Sequence, residues 1–376
     1  MIIMEEKRNF GLDMLRSIAI LLVVISHARH IFHNDELWRL ILCGYYGVEL
    51  FFVLSGFLIG RILLRTLAKI NEGATIRQKL SSLRYFWIRR WFRTLPLYWL
   101  RLCFDHLRYC GLGLLDGMQQ FYLAFCYLLF LQSYQPFGVM IFPEAWSLGV
   151  EEYFYLLIPI ALVIMLSIQK STAKNIIFMI LAVLLARILY VAFTGADNLN
   201  WDWDVRRNTF LRLDSLGIGV LLAYIYLYKE KWFHHAHQKM ALLLGTAFIA
   251  IIACLYFGDK SFVEGFFAKT IMFDLVSIAM GLILCYAYHI TTSNHVIHWI
   301  FTTISKISYA IYLIHFPIFM AVADYTEEVP SLFSKFLLAL AACAIAFVLS
   351  YAVHKYYEYP MMCLRERFHK KEAESF

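Results

Sequence analysis

Arg16 and His27 stand eleven residues apart inside an otherwise apolar run from Leu12 to Phe32. Charged or titratable groups are expensive within a bilayer, so their presence there points to chemistry rather than packing. On a helix turning about 100° per residue, eleven steps return to within roughly 20° of the starting direction, about 16 Å further along the axis. Both side chains therefore share one stripe. Imidazole is the side chain tuned to take a proton near neutral pH, which makes His27 the candidate base. A carboxylate beside it would fix the tautomer and stabilise the protonated ring. Glu151 follows Trp146 at the start of a later apolar run, at a comparable depth, and is the candidate partner. The alternative is that Ser147, Glu151 and Glu152 simply favour a helix start.

The elements that must hold these groups are membrane helices. The chain has 376 residues, 61% of them hydrophobic and only 16% charged, which excludes an ordinary water-soluble domain. Apolar runs follow one another with short connections, so one membrane domain is expected over 1–376, with its core at about 10–360. The first run is long enough to span and has no small-residue cleavage site behind it, so it should be retained. The net charge of +7 raises nucleic acid as a partner, but the basic residues gather in a few loops, which topology explains better. Lys7 and Arg8 precede the first run; Arg65, Lys69, Arg77, Lys79, Arg84, Arg89, Arg90 and Arg93 follow the second; Lys355, Arg365, Arg367, Lys370 and Lys371 lie in the tail. The stretches Asp197–Asp204 and Asp324–Glu328 are acidic, and the two sets alternate.

Spans counted against that alternation fall near 12–32, 45–64, one within 94–134, 148–168, 175–193, 209–228, 240–257, 266–288, 305–323 and 332–354. An all-α polytopic bundle of about ten helices results, with both termini in the cytoplasm. Within 94–134 one of two apolar pieces should be interfacial or re-entrant. Cys126, Cys254, Cys285 and Cys343 lie in apolar runs with no C-x-x-C pair and are expected as packing residues, while Cys103 and Cys110 are spaced closely enough to consider a disulfide. His27, His30 and His33 recur every third residue, but such positions fan around a helix, and no metal site is expected.

Several strings resemble the membrane-bound acyltransferase 3 family: Leu15-Arg16 to His27, Phe51-Phe52-Val53-Leu54-Ser55-Gly56-Phe57-Leu58, Arg90-Trp91-Phe92-Arg93 leading to Pro96-Leu97-Tyr98-Trp99, and Trp146-Ser147-Leu148-Gly149-Val150-Glu151-Glu152. Arg212-Leu213-Asp214 and Ser308-Tyr309-Ala310-Ile311-Tyr312-Leu313-Ile314-His315 continue the series in order. The resemblance implies an integral-membrane enzyme of the cytoplasmic (inner) membrane. It would move an acyl group, most often acetyl, from cytoplasmic acyl-CoA to a hydroxyl on a saccharide or lipid-linked saccharide. By similarity, His27 and Arg16 are required for activity. Ser17 stands where a glycine is usual, and Tyr153 replaces a common glutamine, a change expected to alter how Glu151 is held or to reshape the acceptor pocket. The chain ends soon after its last span, so a stand-alone form without a soluble C-terminal domain is expected.

Acyl transfer from a thioester needs a base for the acceptor hydroxyl and a cationic handle for the phosphates of coenzyme A. His27 would be the base in direct transfer, with an acyl-histidine intermediate as the other route. Arg90 and Arg93, one helical turn apart, would hold donor phosphates, unless they only anchor the loop at the membrane surface. Arg16 would hold a phosphate or the pantetheine amides. Trp146, Glu49, Arg212, Asp214 and His315 are candidates to face the acceptor. Arg212 and Asp214 could instead pair with each other, and His315 could bond a neighbouring helix. Arg187 and Asp274 are expected to pair structurally across helices. Ser55 and Gly56 are expected to permit close helix approach rather than to supply a nucleophile. No permanently bound cofactor is expected, and the oligomeric state is not legible. The competing function is a transporter or flippase for a lipid-linked saccharide, which would also bury charges along a pathway.

Overall fold

The computed structural model describes residues 8–33, 37, 40–69, 75–113, 117–134, 140–233, 238–258, 260–329 and 331–364. Lys7, Arg365, Arg367, Lys370 and Lys371, used in the topology argument, lie outside the described residues. The helices are α1 (Phe10–Ala28), α2 (Ile41–Ala68), α3 (Ile76–Ser82), α4 (Arg84–Gly111), α5 (Gly117–Leu128), α6 (Trp146–Ile168) and α7 (Thr172–Thr194). They continue as α8 (Leu213–Tyr228), α9 (Glu230–Phe233), α10 (Gln238–Gly258), α11 (Phe266–Lys269), α12 (Met272–Ala287), α13 (His295–Thr326) and α14 (Leu332–Val353). There is no strand among the described residues. Eight helices there are long and apolar enough to cross a membrane, and Met272–Ala287 is a shorter apolar one. The protein is an all-α polytopic membrane protein.

The stretch at 94–134 resolves into two unequal pieces. α4 carries six arginines and is too charged to score as a span by composition, yet it lies along α13. Tyr309 donates to the Thr94 carbonyl at 2.7 Å and Arg101 Nε to the Leu313 carbonyl at 2.8 Å. α5 has 12 residues, too few to cross about 30 Å of hydrocarbon at 1.5 Å per residue.

α1 is started by Asn9, whose side chain accepts from the Leu12 amide at 3.0 Å, and α13 by Asn294, which accepts from Val296 and Ile297. Both caps meet amide donors that a helix start leaves unpaired. The two helices run in step. Phe10 stacks on His298 with ring centroids 5.5 Å apart, Ser305 donates to Asp13 at 2.7 Å, and Thr326 donates to the Ile31 carbonyl at 2.8 Å. Ser17 adds to this seam by donating to the Phe301 carbonyl at 2.7 Å, which ties α1 to α13.

α2 and α8 approach as closely as backbones allow. A Cβ at Gly56 would sit 2.1 Å from the Leu216 carbonyl oxygen, and one at Gly219 would sit 2.3 Å from that of Val53. Gly56 and Gly60 form the small-x-x-x-small spacing that lets membrane helices touch. The expected role of Gly56 therefore holds, whereas Ser55 turns elsewhere.

Candidate active site

The Nδ1 atom of His27 lies 2.8 Å from Nε2 of His315. The other His315 nitrogen, Nδ1, is 2.7 Å from the Ile311 carbonyl oxygen. A carbonyl only accepts, so His315 Nδ1 carries a proton, and in a neutral ring its Nε2 is then an acceptor. The hydrogen between the rings must come from His27 Nδ1. His27 Nε2 is left with its lone pair, the form a base requires. Of the neighbouring histidines, His30 sets its ring edge-on to Phe316 and His33 bonds the Ala323 carbonyl at 2.8 Å.

This corrects the partner expected from sequence. Glu151 accepts from Ser55 at 2.8 Å, Arg90 at 2.5 Å and Tyr155 at 3.0 Å, and the Arg90 guanidinium lies over the Tyr155 ring. The reason is depth. Tyr312 donates to the Glu144 carbonyl at 2.9 Å, so α6 enters the bundle at nearly the level of His315, after a buried turn at Pro143–Ala145. Seven residues further, about 10 Å along the axis, Glu151 is level with Arg90. Tyr153 points away from this carboxylate, with its hydroxyl 3.0 Å from the Leu129 carbonyl and its ring edge-on to Phe210.

Arg90 and Arg93 therefore differ. Arg90 is committed to Glu151, and Glu152 beside it accepts from Thr94 at 2.8 Å. Arg93 and Arg16 make no hydrogen bond or ion pair among the described residues. The positive charges of Arg93, Arg8 and Arg90 reach Arg16, as does the negative charge of Asp13, which is itself held by Arg8 at 2.6 Å. Two half-buried guanidiniums, of which Arg16 has three cationic neighbours against one carboxylate while Arg93 also feels Glu358 and Glu151, make a site to which an anion could add hydrogen bonds.

Three candidate acceptor residues lie elsewhere. Glu49, Arg212 and Asp214 are fully buried. Arg212 pairs with Glu49, which also accepts from Ser215 at 3.0 Å and Ser277 at 3.1 Å. Asp214 pairs with Arg187 at 2.5 Å, and Arg187 also pairs with Asp274 as expected. This network joins α2, α7, α8 and α12, and its charged groups are spent on one another. His315 is also fully buried and meets His27.

Sequence reasoning missed the edge of the site away from Arg16, where Trp146 sits under the guanidinium of Arg206 at 4.7 Å. Asp202 binds Arg206 and accepts from Arg207 at 2.5 Å, and Arg207 lies over Trp203 at 4.3 Å. Burial alone would raise the Asp202 carboxyl, but Arg206 and Arg207 outweigh it and hold the group down at about 2. The charges of Arg29 and Arg206 reach His27. In sequence, Trp201-Asp202-Trp203-Asp204-Val205-Arg206-Arg207 reads as an acidic outer loop; its alternating tryptophans and terminal arginines are the available signal. All eight cysteines are free, Cys103 and Cys110 included.

A helical bundle with a tautomer-fixed histidine on its first helix, and two arginines without a hydrogen bond or ion pair among the described residues nearer one end, is an integral-membrane protein with a built polar site. The chain belongs to the acyltransferase 3 family: a family model described as an acyltransferase domain matches residues 9–355. It is 28% identical over 362 residues to a Bacillus subtilis (strain 168) protein named "Putative peptidoglycan O-acetyltransferase YrhL", covering 91% of this chain and 53% of that one. It is 27% identical over 342 residues to "O-acetyltransferase OatA" of Staphylococcus aureus (strain NCTC 8325 / PS 47), covering 84% of this chain and 51% of that one. The chain thus spans about half the length of the curated relatives it matches. No solved structure matches it.

Proposed function

We propose that this protein is an acyl-CoA-dependent O-acyltransferase of the cytoplasmic membrane, with both termini inside, that passes an acyl group, in the simplest case acetyl, to a saccharide hydroxyl. The observation that carries this reading is the pair of hydrogen bonds through His315, which leaves Nε2 of His27 free to take a proton. That nitrogen removes the acceptor hydroxyl proton as the oxygen attacks the thioester carbonyl. The C–S bond breaks, coenzyme A departs as thiolate, and the imidazolium returns the proton to it. Arg16 and Arg93 hold donor phosphates, and Arg90 acts through Glu151 to set the position of α4 against α6. Trp146, Arg206 and Arg207 face the acceptor. The name of the Bacillus subtilis relative makes peptidoglycan or its lipid-linked precursor the first acceptor to try.

The test is acetyl-CoA consumption by the purified protein in liposomes, with glycan acceptor supplied. Acceptor-dependent release of coenzyme A that disappears in His27→Ala supports the proposal. Release that persists in a folded His27→Ala protein overturns the role of this residue, and transport of a lipid-linked saccharide without thioester use overturns the reaction.

A further inference from the structure

The end of the bundle that carries Arg8 and Arg93 holds a second basic feature. Between α13 and the end of α14 runs a groove of about 840 Å³, lined among others by His298, Trp299, Thr302, Lys306, Tyr351 and Lys355. A volume of this order accommodates a small amphiphile or cofactor. On α13, positions 295, 299, 302 and 306 recur at three or four residues, so one helix face builds that wall. His298 bridges to the start of α1 through Phe10, which fixes the level of the groove in the bundle.

Three properties of this groove ask for a ligand. Its lysines lack a carboxylate: Lys306 and Lys355 have no ion pair among the described residues, Lys355 having only the Tyr356 ring 5.3 Å away, while the nearby His354 is bound to Glu358 at 2.8 Å. Its Thr302 hydroxyl is buried and without a hydrogen-bond partner. A helical threonine ordinarily returns its hydroxyl to a carbonyl one turn back, and a buried hydroxyl left unpaired costs about 1–3 kcal/mol. The remaining lining mixes His295, Thr303 and His354 with aromatic surface, and the groove is open sideways. Trp299 is 66% exposed and Tyr351 50%, and α14 continues outward with Val348 and Leu349 exposed. Tryptophan and tyrosine at the mouth of a groove between two membrane helices mark the headgroup level, and basic pockets there take phosphate headgroups.

Two lysines, a buried hydroxyl, and exposed tryptophan and tyrosine at a mouth between two membrane helices complement an anionic amphiphile whose tails can leave the groove sideways. We propose that this groove binds one anionic glycerophospholipid, its phosphate between Lys306 and Lys355 and its glycerol esters at Thr302. The turn that carries Lys355 also sends Tyr357 to the Pro96 carbonyl at 3.2 Å, so a bound lipid braces the segment of α4 next to Arg93.

Native mass spectrometry of the full chain tests this, with equal amounts of phosphatidylglycerol and phosphatidylcholine offered in neutral detergent. One phosphatidylglycerol should be retained about tenfold over phosphatidylcholine, equivalent to about 1.4 kcal/mol. The preference should vanish in Lys306→Gln/Lys355→Gln, weaken several-fold in Thr302→Val, and survive millimolar adenosine 3′,5′-bisphosphate. Equal retention of both lipids, or an unchanged preference in the double variant, overturns the proposal. Displacement by the bisphosphate also overturns it and gives the groove to a nucleotide. Should the double variant melt early, Lys306→Gln and Thr302→Val alone are read by the same ratio. None of these readouts depends on acyl transfer.

Discussion

Nδ1 of His27 on α1 and Nε2 of His315 on α13 share one hydrogen 2.8 Å across, although 288 positions separate them in the chain. The second histidine does for the first what a carboxylate does in hydrolytic triads: it selects the tautomer. It does so without adding a charge to a site within the membrane.

Replacing His315 with leucine should therefore lower kcat by about 10²-fold, the lower range for general acid–base catalysis, while KM for acyl-CoA stays within about twofold of wild type. Glutamine, whose amide oxygen accepts from His27 Nδ1, should recover much of the loss. The measurement is steady-state kinetics of all three proteins; equal loss in both variants would assign His315 to packing alone.

Arg93→Gln and Arg16→Gln should raise KM for acyl-CoA by about 10- to 100-fold, since a hydrogen bond to a charged group contributes about 1.5–3 kcal/mol. Melting temperature in detergent should change little. Arg90→Gln should show the opposite pattern, because it strands the Glu151 carboxylate and costs about 3–5 kcal/mol of stability. A KM effect of Arg90→Gln without early melting would reverse this division of roles.

The network of Glu49, Arg212, Asp214, Arg187 and Asp274 should behave as a clamp. Arg187→Gln or Arg212→Gln leaves a buried carboxylate unpaired, costing about 3–5 kcal/mol, seen as early thermal unfolding. Acceptor KM in whatever folded fraction remains should be unchanged, and a selective rise in acceptor KM would restore these residues to the substrate site.

Gly56→Leu should be more damaging than Leu58→Ala. The leucine branch has nowhere to go, since even a Cβ at this position reaches 2.1 Å from the Leu216 carbonyl oxygen. Forcing α2 away from α8 should cost at least the roughly 1–3 kcal/mol typical of overpacking. Thermal unfolding of both variants in one detergent makes the comparison, and an equal or smaller loss in Gly56→Leu would mean that the two helices can part without penalty.

Asp202 gives the Trp146 edge of the site a dependence on acid. Its carboxyl is held at about 2 against the ordinary carboxylate value. A group depressed on folding contributes its stability above the unfolded value and loses it as pH falls through the folded one. The contribution, about 2 kcal/mol at neutral pH, should fade between about pH 4 and pH 2. Asp202→Asn should melt earlier than wild type at pH 7, and the difference should close below that window.

Much of the scaffold was legible in the chain itself. Apolar runs of spanning length, basic loops alternating with acidic ones, and the eleven-residue spacing of Arg16 and His27 are local properties, and the helices form where those runs lie. The family strings are local as well, which is why the acyltransferase 3 assignment needs no tertiary structure. Even the Arg187–Asp274 pair could be anticipated, because two opposite charges buried in separate apolar runs have few other ways to be neutralised.

The partners of the other polar groups were decided only by tertiary structure. Whether Glu151 meets His27 or Arg90 depends on how deep α6 starts, which the buried turn at Pro143–Ala145 sets. Whether Arg212 meets a substrate or Glu49 depends on how closely α2 and α8 pack, which Gly56 and Gly219 set from different parts of the chain. Helical periodicity tells which residues share a face, but the axial offset and rotation between two helices belong to neither sequence segment alone. A hydrogen bond formed within about 3 Å is sensitive to both.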